Sequence, residues 1–397
     1  MKPMRVAISG VGVAGGVIAT GLATLPGVEV VAFERVGPED HAVAGNGLNV
    51  GPNALLALDR ALPALAARLR EVSLPWRQWR ASTVGGELLL NLPLADVAAC
   101  DGLRIRWAEL YRACREHNAG VVRYRAEVEA VQVSGDAAPL AVTVRTADGG
   151  HQRIEGIDLL IAAEGRFGGL RPQLCGAPGV THLGVANFRV LLQDHGRWPL
   201  DDLEQWFNGP HRLLAFRLRD GLVYLSGNLP IDPGQDTPAH VKTAAWLDRC
   251  YTPAEGPMAE VPARLLEGAC NAAERGELHW SRLQESTVCW HDASARVLFP
   301  GDAGHAMVPT LGQGATTAIE DGAVFVELFR EALAQGLEAP ALVHRFVQQR
   351  RARVDFIRQL SWQASDVIMA DRFSIAGVRA KAEPAYTAQL RRLYGDR

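Results

Sequence analysis

The apolar and polar positions alternate in blocks that change period several times along the chain. Arg5-Val6-Ala7-Ile8-Ser9 is a short apolar run of the kind that forms a buried strand. Ala14 to Leu25 has helical composition and stops at Pro26-Gly27, and Val28 to Phe33 is a second buried-strand run ending on Glu34. Leu55, Leu58, Leu62 and Leu69 give Asn53 to Leu69 a helical stripe, interrupted by Pro63. Trp79 to Leu90, with Gly85-Gly86 in its middle, reads as a hairpin. Val121 to Ile157 alternates around turns at Gly135-Asp136 and Asp148-Gly149-Gly150, which predicts an antiparallel ribbon. From Val185 to Leu229 the chain is strand-rich, notably Arg189–Gln193 and Leu222–Ser226, while Thr237 to Cys250 and Pro257 to Glu267 read as helices. Val297-Leu298-Phe299 is a last strand, followed by helix-forming Ala315 to Val326.

Strands alternating with helices at both ends, and clustered strands between, predict an α/β protein. A chain of 397 residues is too long for one small core, so two closely joined domains are expected. With 48% hydrophobic and 21% charged residues it has ordinary globular composition, and a net charge of -3 gives no electrostatic case for nucleic acid or an anionic membrane. No apolar run approaches the ~20 residues of a membrane span. The first strand begins almost at once, leaving no room for a signal peptide, and the six cysteines contain no C-x-x-C. Together these predict reduced cysteines and a cytoplasmic location. The eleven histidines form no H-x-x-x-H pair, so no metal site is expected.

Two motifs carry chemistry. Gly10-Val11-Gly12-Val13-Ala14-Gly15 is G-x-G-x-x-G between a strand and a helix, and Glu34 ends the next strand 22 positions after Gly12. That context is the dinucleotide fingerprint, with Glu34 placed to hold ribose hydroxyls. Far downstream, Gly301-Asp302, His305, Pro309 and Gly312-Gln313-Gly314 follow the last strand. Asp302 can accept hydrogen bonds from a polyol, and the Gly312–Gly314 turn offers N–H groups and a positive helix end to an electron-rich group.

The two motifs together resemble the class A flavoprotein monooxygenases, the aromatic-ring hydroxylases typified by para-hydroxybenzoate hydroxylase, over almost the whole chain. The resemblance implies a Rossmann-like FAD-binding domain of glutathione reductase type, with an inserted mixed sheet and helix substrate domain and C-terminal helices. The expected division is 1–76, 99–180 and 285–397 for the FAD-binding domain with its C-terminal helices, 77–98 for a substrate-domain hairpin, and 181–284 for the substrate domain. Arg106 looks like the family's flavin-contacting arginine. Arg104 and Arg106 alternate with apolar residues, so only one of them is expected to face the cofactor. Leu159 to Gly165 with Arg171 resembles the middle Asp-Gly motif, although Glu164 stands for the usual Asp and Gly168 for the usual Ser. That departure bears on the nicotinamide interaction more than on FAD. Phe188-Arg189 resembles the first strand of the substrate domain, and His344 to Arg351 the closing helix.

The implied reaction is FAD-dependent hydroxylation of a small aromatic or N-heteroaromatic ring, of the hydroxylated pyridine or benzoate kind. It would proceed through a flavin C4a-hydroperoxide, with NADH or NADPH as donor and O2 as oxidant. Expected FAD contacts are Gly10, Gly12, Gly15, Glu34, Arg35, Asn49, Arg106, Glu164, Asp302, Pro309, Gly312, Gln313 and Gly314. Ring attack is easier once a substrate hydroxyl loses its proton, so His305 and His211 are the candidate bases, each with a plain packing role as the alternative. Asn49, Arg189 and Tyr224 are candidate substrate contacts, with structural or core roles as their alternatives. Gly45 and Gly47 fit a loop that lets the flavin swing outward. Alternative functions are a monooxygenase of larger polycyclic or antibiotic-like molecules, a flavoprotein reductase without oxygen chemistry, and a nucleotide-binding regulator. No nucleic-acid or membrane partner is expected, and the protein is expected to be a monomer or homodimer.

Overall fold

The computed structural model describes residues 3–40, 46–116, 118, 120–133, 135, 138–194 and 198–395. Gly45 and Asp136 lie outside the described residues. Among the described residues the strands form four sheets. The first is parallel, in the order Val297–Leu298, Leu159–Ala162, Met4–Ser9, Val28–Glu34 and Val122–Tyr124. Its inner strands are continuous apolar runs because helices cover the sheet. The helices Val13–Leu22 and Gln313–Gln335 cross closely: a Cβ on Gly21 would sit 2.2 Å from a Val326 methyl, and one on Gly322 2.6 Å from Val17. The Val121–Ile157 ribbon splits: Val122–Tyr124 joins the parallel sheet, and Glu127–Gln132, Leu140–Arg145 and His151–Ile157 form a three-stranded antiparallel sheet. Pro63 divides the expected long helix into Pro52–Ala61 and Pro63–Glu71.

The largest sheet has seven strands, in the order His279–Ser286, Val180–Gln193, Leu222–Pro230, His211–Arg217, Leu203–Asn208, Gln78–Thr83 and Leu88–Pro93. The early Gln78–Pro93 hairpin therefore completes a sheet built mostly from residues a hundred positions later, through a parallel pairing of Gln78–Thr83 with Leu203–Asn208. Helices Ala244–Tyr251 and Glu260–Glu274 pack on one face, with Phe188, Leu213, Val223 and Leu225 in that core. The other face, called the front here, meets Met307, Val308 and Leu311 and the C-terminal helices from Ala339–Ala364 onward. A small antiparallel sheet of Gly47–Val50, Gly102–Arg106 and Leu74–Trp76 adjoins this front face: a Cβ on Gly47 would lie 2.9 Å from the Cβ of Tyr224. No helix among the described residues is long and apolar enough to cross a membrane.

Candidate active site

A groove of about 380 Å³ opens at the carboxyl ends of the parallel strands, where ligands bind in open α/β sheets. It runs from Glu34 and Arg35 past Gly12 to Asp302 and Gly314. At its floor, Gly10 holds φ +86° and a Cβ there would meet the Ala163 carbonyl oxygen at 2.7 Å. A Cβ on Gly15 would lie 2.0 Å from the Gly10 carbonyl oxygen, so helix and strand close only with glycine. Above Gly12 the nearest atom to such a carbon is 3.9 Å away, in Tyr111, which leaves room for a ligand to approach the backbone.

Two helices aim their N-termini into this groove. Val13–Leu22 and Gln313–Gln335 both lack a side-chain cap and an acidic residue in the first turn, and Gly12 to Ala14 and Gly314-Ala315 line the groove. Uncapped N–H groups with a positive helix end call for an anionic or electron-rich partner. Glu34 is buried and accepts from the Val11 N–H at 2.8 Å, and Arg115 pairs with it at 3.3 Å. Asp302 is half-buried in the groove wall. Two helix termini, a carboxylate at each end and the open backbone at Gly12 fit an elongated dinucleotide with a hydroxylated linker, as FAD is.

Several expected FAD residues line the groove: Gly10, Gly12, Glu34, Arg35, Glu164, Asp302 and Gly314. Gly15 packs beneath it. Asn49, Gly312 and Gln313 adjoin its Gly314 end. Asn49 Nδ2 and Gln313 Nε2 are buried without a partner, and a Cβ on Gly312 would lie 3.9 Å from the Cβ of Asn49. Pro309 is exposed and opens the short turn Pro309–Leu311. Arg106 is not in the groove wall. It shares one strand face with Arg104, opposite Gly47 and Asn49, because positions two apart in a strand point the same way. Both arginines border a separate depression of about 370 Å³ beside Leu218 and Arg219. The groove is instead walled by Trp107, Tyr111 and Arg115, whose i, i+4, i+8 spacing puts them on one side of the helix Trp107–Glu116. That spacing was present in the sequence and is the signal that would have found them.

Glu164 and Gly168 prove to be one arrangement. The Glu164 carboxylate accepts from Ser9 Oγ at 2.6 Å and from the Leu170 N–H at 3.1 Å, and burial raises its pKa against those bonds. Its side chain fills the space over residue 168, where a Cβ would come within 2.6 Å of both Glu164 Cβ and Oε2.

The structure places neither candidate histidine in the groove wall. His305 is buried at 1% exposure, bonded through Nε2 to Asp321 at 2.7 Å and packed 5.0 Å from the Trp290 ring. Asp321 also accepts from the Gly301 N–H and from Arg350 at 2.8 Å. The imidazole thus braces the Gly301–His305 turn from inside. His211 pairs with Asn208, next to the back-face pair Leu213 and Trp206, and meets Tyr251 edge-on at 6.0 Å. It faces the helices behind the sheet. Arg189 and Tyr224 do reach the front face, where Tyr224 stacks 4.8 Å from Phe216 and Arg189 Nε is buried without a partner. Arg212, one residue from His211, is turned to the opposite face by strand alternation. Among the described residues no group of His, Cys, Asp and Glu is arranged to hold a metal ion.

No protein-family model matches the chain. It is 28% identical to the 2-heptyl-3-hydroxy-4(1H)-quinolone synthase of Pseudomonas aeruginosa, over 90% of this chain and 88% of that one. It is 25% identical to the 6-hydroxynicotinate 3-monooxygenase of Bordetella bronchiseptica, over 88% of each. Its fold matches that of Klebsiella pneumoniae HpxO complexed with FAD and uric acid, with a TM-score of 0.77 at 21% identity, covering 98% of this chain and 93% of that one. With a sequence likeness running over nine-tenths of its length, and with this fold and groove, the chain is similar to the class A FAD-dependent monooxygenases, the para-hydroxybenzoate hydroxylase-like group.

Proposed function

We propose that the protein is an FAD-dependent monooxygenase that uses NADH or NADPH and O2 to hydroxylate a small aromatic or N-heteroaromatic ring. The observation that carries this reading is the convergence of two uncapped helix N-termini and two carboxylates on one groove. Bound FAD supplies hydride acceptance and oxygen activation. The chain's own residues do the holding. Gly12 and the Val13 helix end take the pyrophosphate, Glu34 the ribose hydroxyls and Asp302 the ribityl hydroxyls. Asn49, Gln313 and the Gln313 helix end serve the electron-rich edge of the flavin. The front face of the large sheet, closed by C-terminal helices, receives the ring and excludes water. The names of the relatives, a quinolone synthase and a hydroxynicotinate monooxygenase, support a single or fused heteroaromatic ring as the substrate class.

Purified protein should show oxidised-flavin absorbance, and aromatic hydroxy acids should stimulate its NAD(P)H oxidation. The product should carry one oxygen atom from labelled O2. Flavin reduction with no labelled product identifies a reductase instead. We further place the enzyme in the cytoplasm as a monomer or homodimer, which cell fractionation and sedimentation test.

A further inference from the structure

The depression of about 370 Å³ beside Leu218 and Arg219 is separate from the groove, has the size of a small-molecule site and is rich in cations. It is lined by the strand Gly102–Arg106, by the helices Pro63–Glu71 and Trp107–Glu116, and by the turn at Arg219-Asp220. Arg219 ties that turn to the first of these helices by donating to the Glu71 carbonyl. Five arginines face three acids here. Arg68 and Arg112 are matched by Glu71 and Glu109, at 2.9 and 2.7 Å. Among the described residues Arg106 and Arg219 make no ion pair, and Asp220 is the one acid of the lining that no arginine engages. Arg104, 3% exposed, donates from Nε to the Pro75 carbonyl and from Nη2 to Asp201 at 3.3 Å, but its Nη1 is buried without a partner. Arg106 Nε is buried without a partner too. Buried donors that lack an acceptor are costly, and a phosphate oxyanion accepts from guanidinium groups in their own fork geometry.

Strand register ties the depression to the cofactor groove. Arg104 stands opposite Asn49 and Arg106 opposite Gly47, so all four positions share one face of the small sheet. Asn49 adjoins the Gly314 end of the groove, and a diagonal step between paired strands is about 7–8 Å. An anion held by Arg104 and Arg106 therefore sits beside the end assigned to the flavin's electron-rich edge, where a hydride must arrive. In the middle motif, by contrast, both arginines already serve backbone: Arg166 donates to the Gln284 and Met307 carbonyls, and Arg171 to those of Ala303 and Thr287. We propose that the depression binds the diphosphate of the nicotinamide donor, with Arg106 and Arg219 as its free cations and Arg104 as a buried third. This rests on the hydroxylase reading and deepens it by giving the donor a site outside the FAD groove.

The test uses the FAD-loaded enzyme and reads the binding of NAD+ and NADP+ by calorimetry. Arg106→Gln should weaken both dinucleotides roughly tenfold or more, as loss of a charge-assisted bond does. Arg219→Gln should weaken them severalfold at low salt and less at high salt, because that side chain is exposed. It carries the test alone if Arg106→Gln misfolds. FAD affinity and the flavin spectrum should stay as in the parent. In anaerobic reduction the donor concentration at half-maximal rate should rise by the same factor while the limiting rate holds. N-benzyl-1,4-dihydronicotinamide, a hydride donor without phosphate, should reduce parent and variants equally. Unchanged dinucleotide affinity overturns the site, as does an equal loss with the phosphate-free donor or a loss of FAD affinity in Arg106→Gln. Pyrophosphate should compete with NAD+ for the parent; pyrophosphate that binds and responds to the variants while the dinucleotides do not marks a free-phosphate site and overturns the donor assignment. Failure of the hydroxylase reading looks different: the dinucleotides bind and respond to the variants, yet no oxygenated product forms from any aromatic substrate.

Discussion

The groove and the front face of the large sheet are both polar sites, yet they are built in opposite ways. The groove draws much of its polarity from backbone, helix N-termini and glycine turns, with carboxylates such as Glu34 and Asp302 close by in the same short segments. The front face draws its polarity from side chains such as Asn187, Arg212 and Asn228, which are distant in sequence and adjacent only through strand register. A backbone site suits a cofactor common to many proteins, since the N–H groups survive most substitutions. A side-chain site can be re-specified one residue at a time, which suits a substrate that differs between relatives.

The comparison predicts where a single substitution does the most harm. Gly15→Val introduces a carbon that would stand 2.0 Å from the Gly10 carbonyl. FAD affinity should fall roughly a hundredfold or more, the equivalent of ~3 kcal/mol of overpacking, as read by flavin fluorescence on titration. Binding within a fewfold of the parent would mean that the turn is not the cofactor's anchor.

Next in size is the buried cluster behind the groove. Asp321→Ala leaves Arg350 and His305 without their shared carboxylate, and breaking a buried pair of this kind costs ~3–5 kcal/mol. The thermal midpoint should fall by many degrees, and FAD loss should follow unfolding rather than precede it. Burial opposes ionisation of Asp321, but His305 and Arg350 outweigh it and hold the carboxyl at about 2, below its ordinary 3.8. Its stabilising contribution is therefore complete above pH 3.8 and is lost as pH falls through 2. Acid unfolding of the parent should show that loss, and Asp321→Ala should lack it. His305→Ala should lower the midpoint while the ratio of hydroxylated product to NAD(P)H consumed stays unchanged. A drop in that ratio at full FAD occupancy would return His305 to the chemistry.

A smaller effect probes how one backbone site accommodates side-chain variation. Gly168→Ser pushes into Glu164 and should cost ~1–3 kcal/mol, visible in the thermal midpoint and in FAD affinity. Adding Glu164→Asp should recover only part of this, because it relieves the Oε2 contact and leaves the equally close Cβ. Full recovery would show that the carboxylate alone sets the spacing.

The same contrast explains what could be read before the fold was known. G-x-G-x-x-G, Glu34 and the Asp302–Gly314 segment are local patterns whose chemistry depends on the backbone they impose, so both ends of the groove are legible in the sequence. Arg106 was preferred to Arg104 on a motif match, whereas Trp107, Tyr111 and Arg115, which line the groove, carry no motif and show only in their i, i+4, i+8 spacing. His305 lies inside the right motif, but a partner sixteen residues on, Asp321, turns its ring inward. The burial of Lys381 was out of reach for a different reason. The place of Lys381 over Trp79 depends on a C-terminal segment folding over a sheet completed by the Gln78–Pro93 hairpin, and no local pattern encodes that contact.

The smallest effect tests the faces of that sheet against each other. His211 and Arg212 are consecutive, so strand alternation assigns one to the helices behind and the other to the front. Desolvation lowers the pKa of His211, and its Nδ1 is buried without a partner. A neutral ring with an orphan nitrogen gains little from its polarity, so His211→Leu should change stability by no more than ~1 kcal/mol. It should leave hydroxylation rate and coupling as they were. If His211→Leu instead slows hydroxylation of a bound acid by tenfold or more, the residue that matters on this strand is the one pointing away from the cofactor, and the two-faced account of the sheet fails.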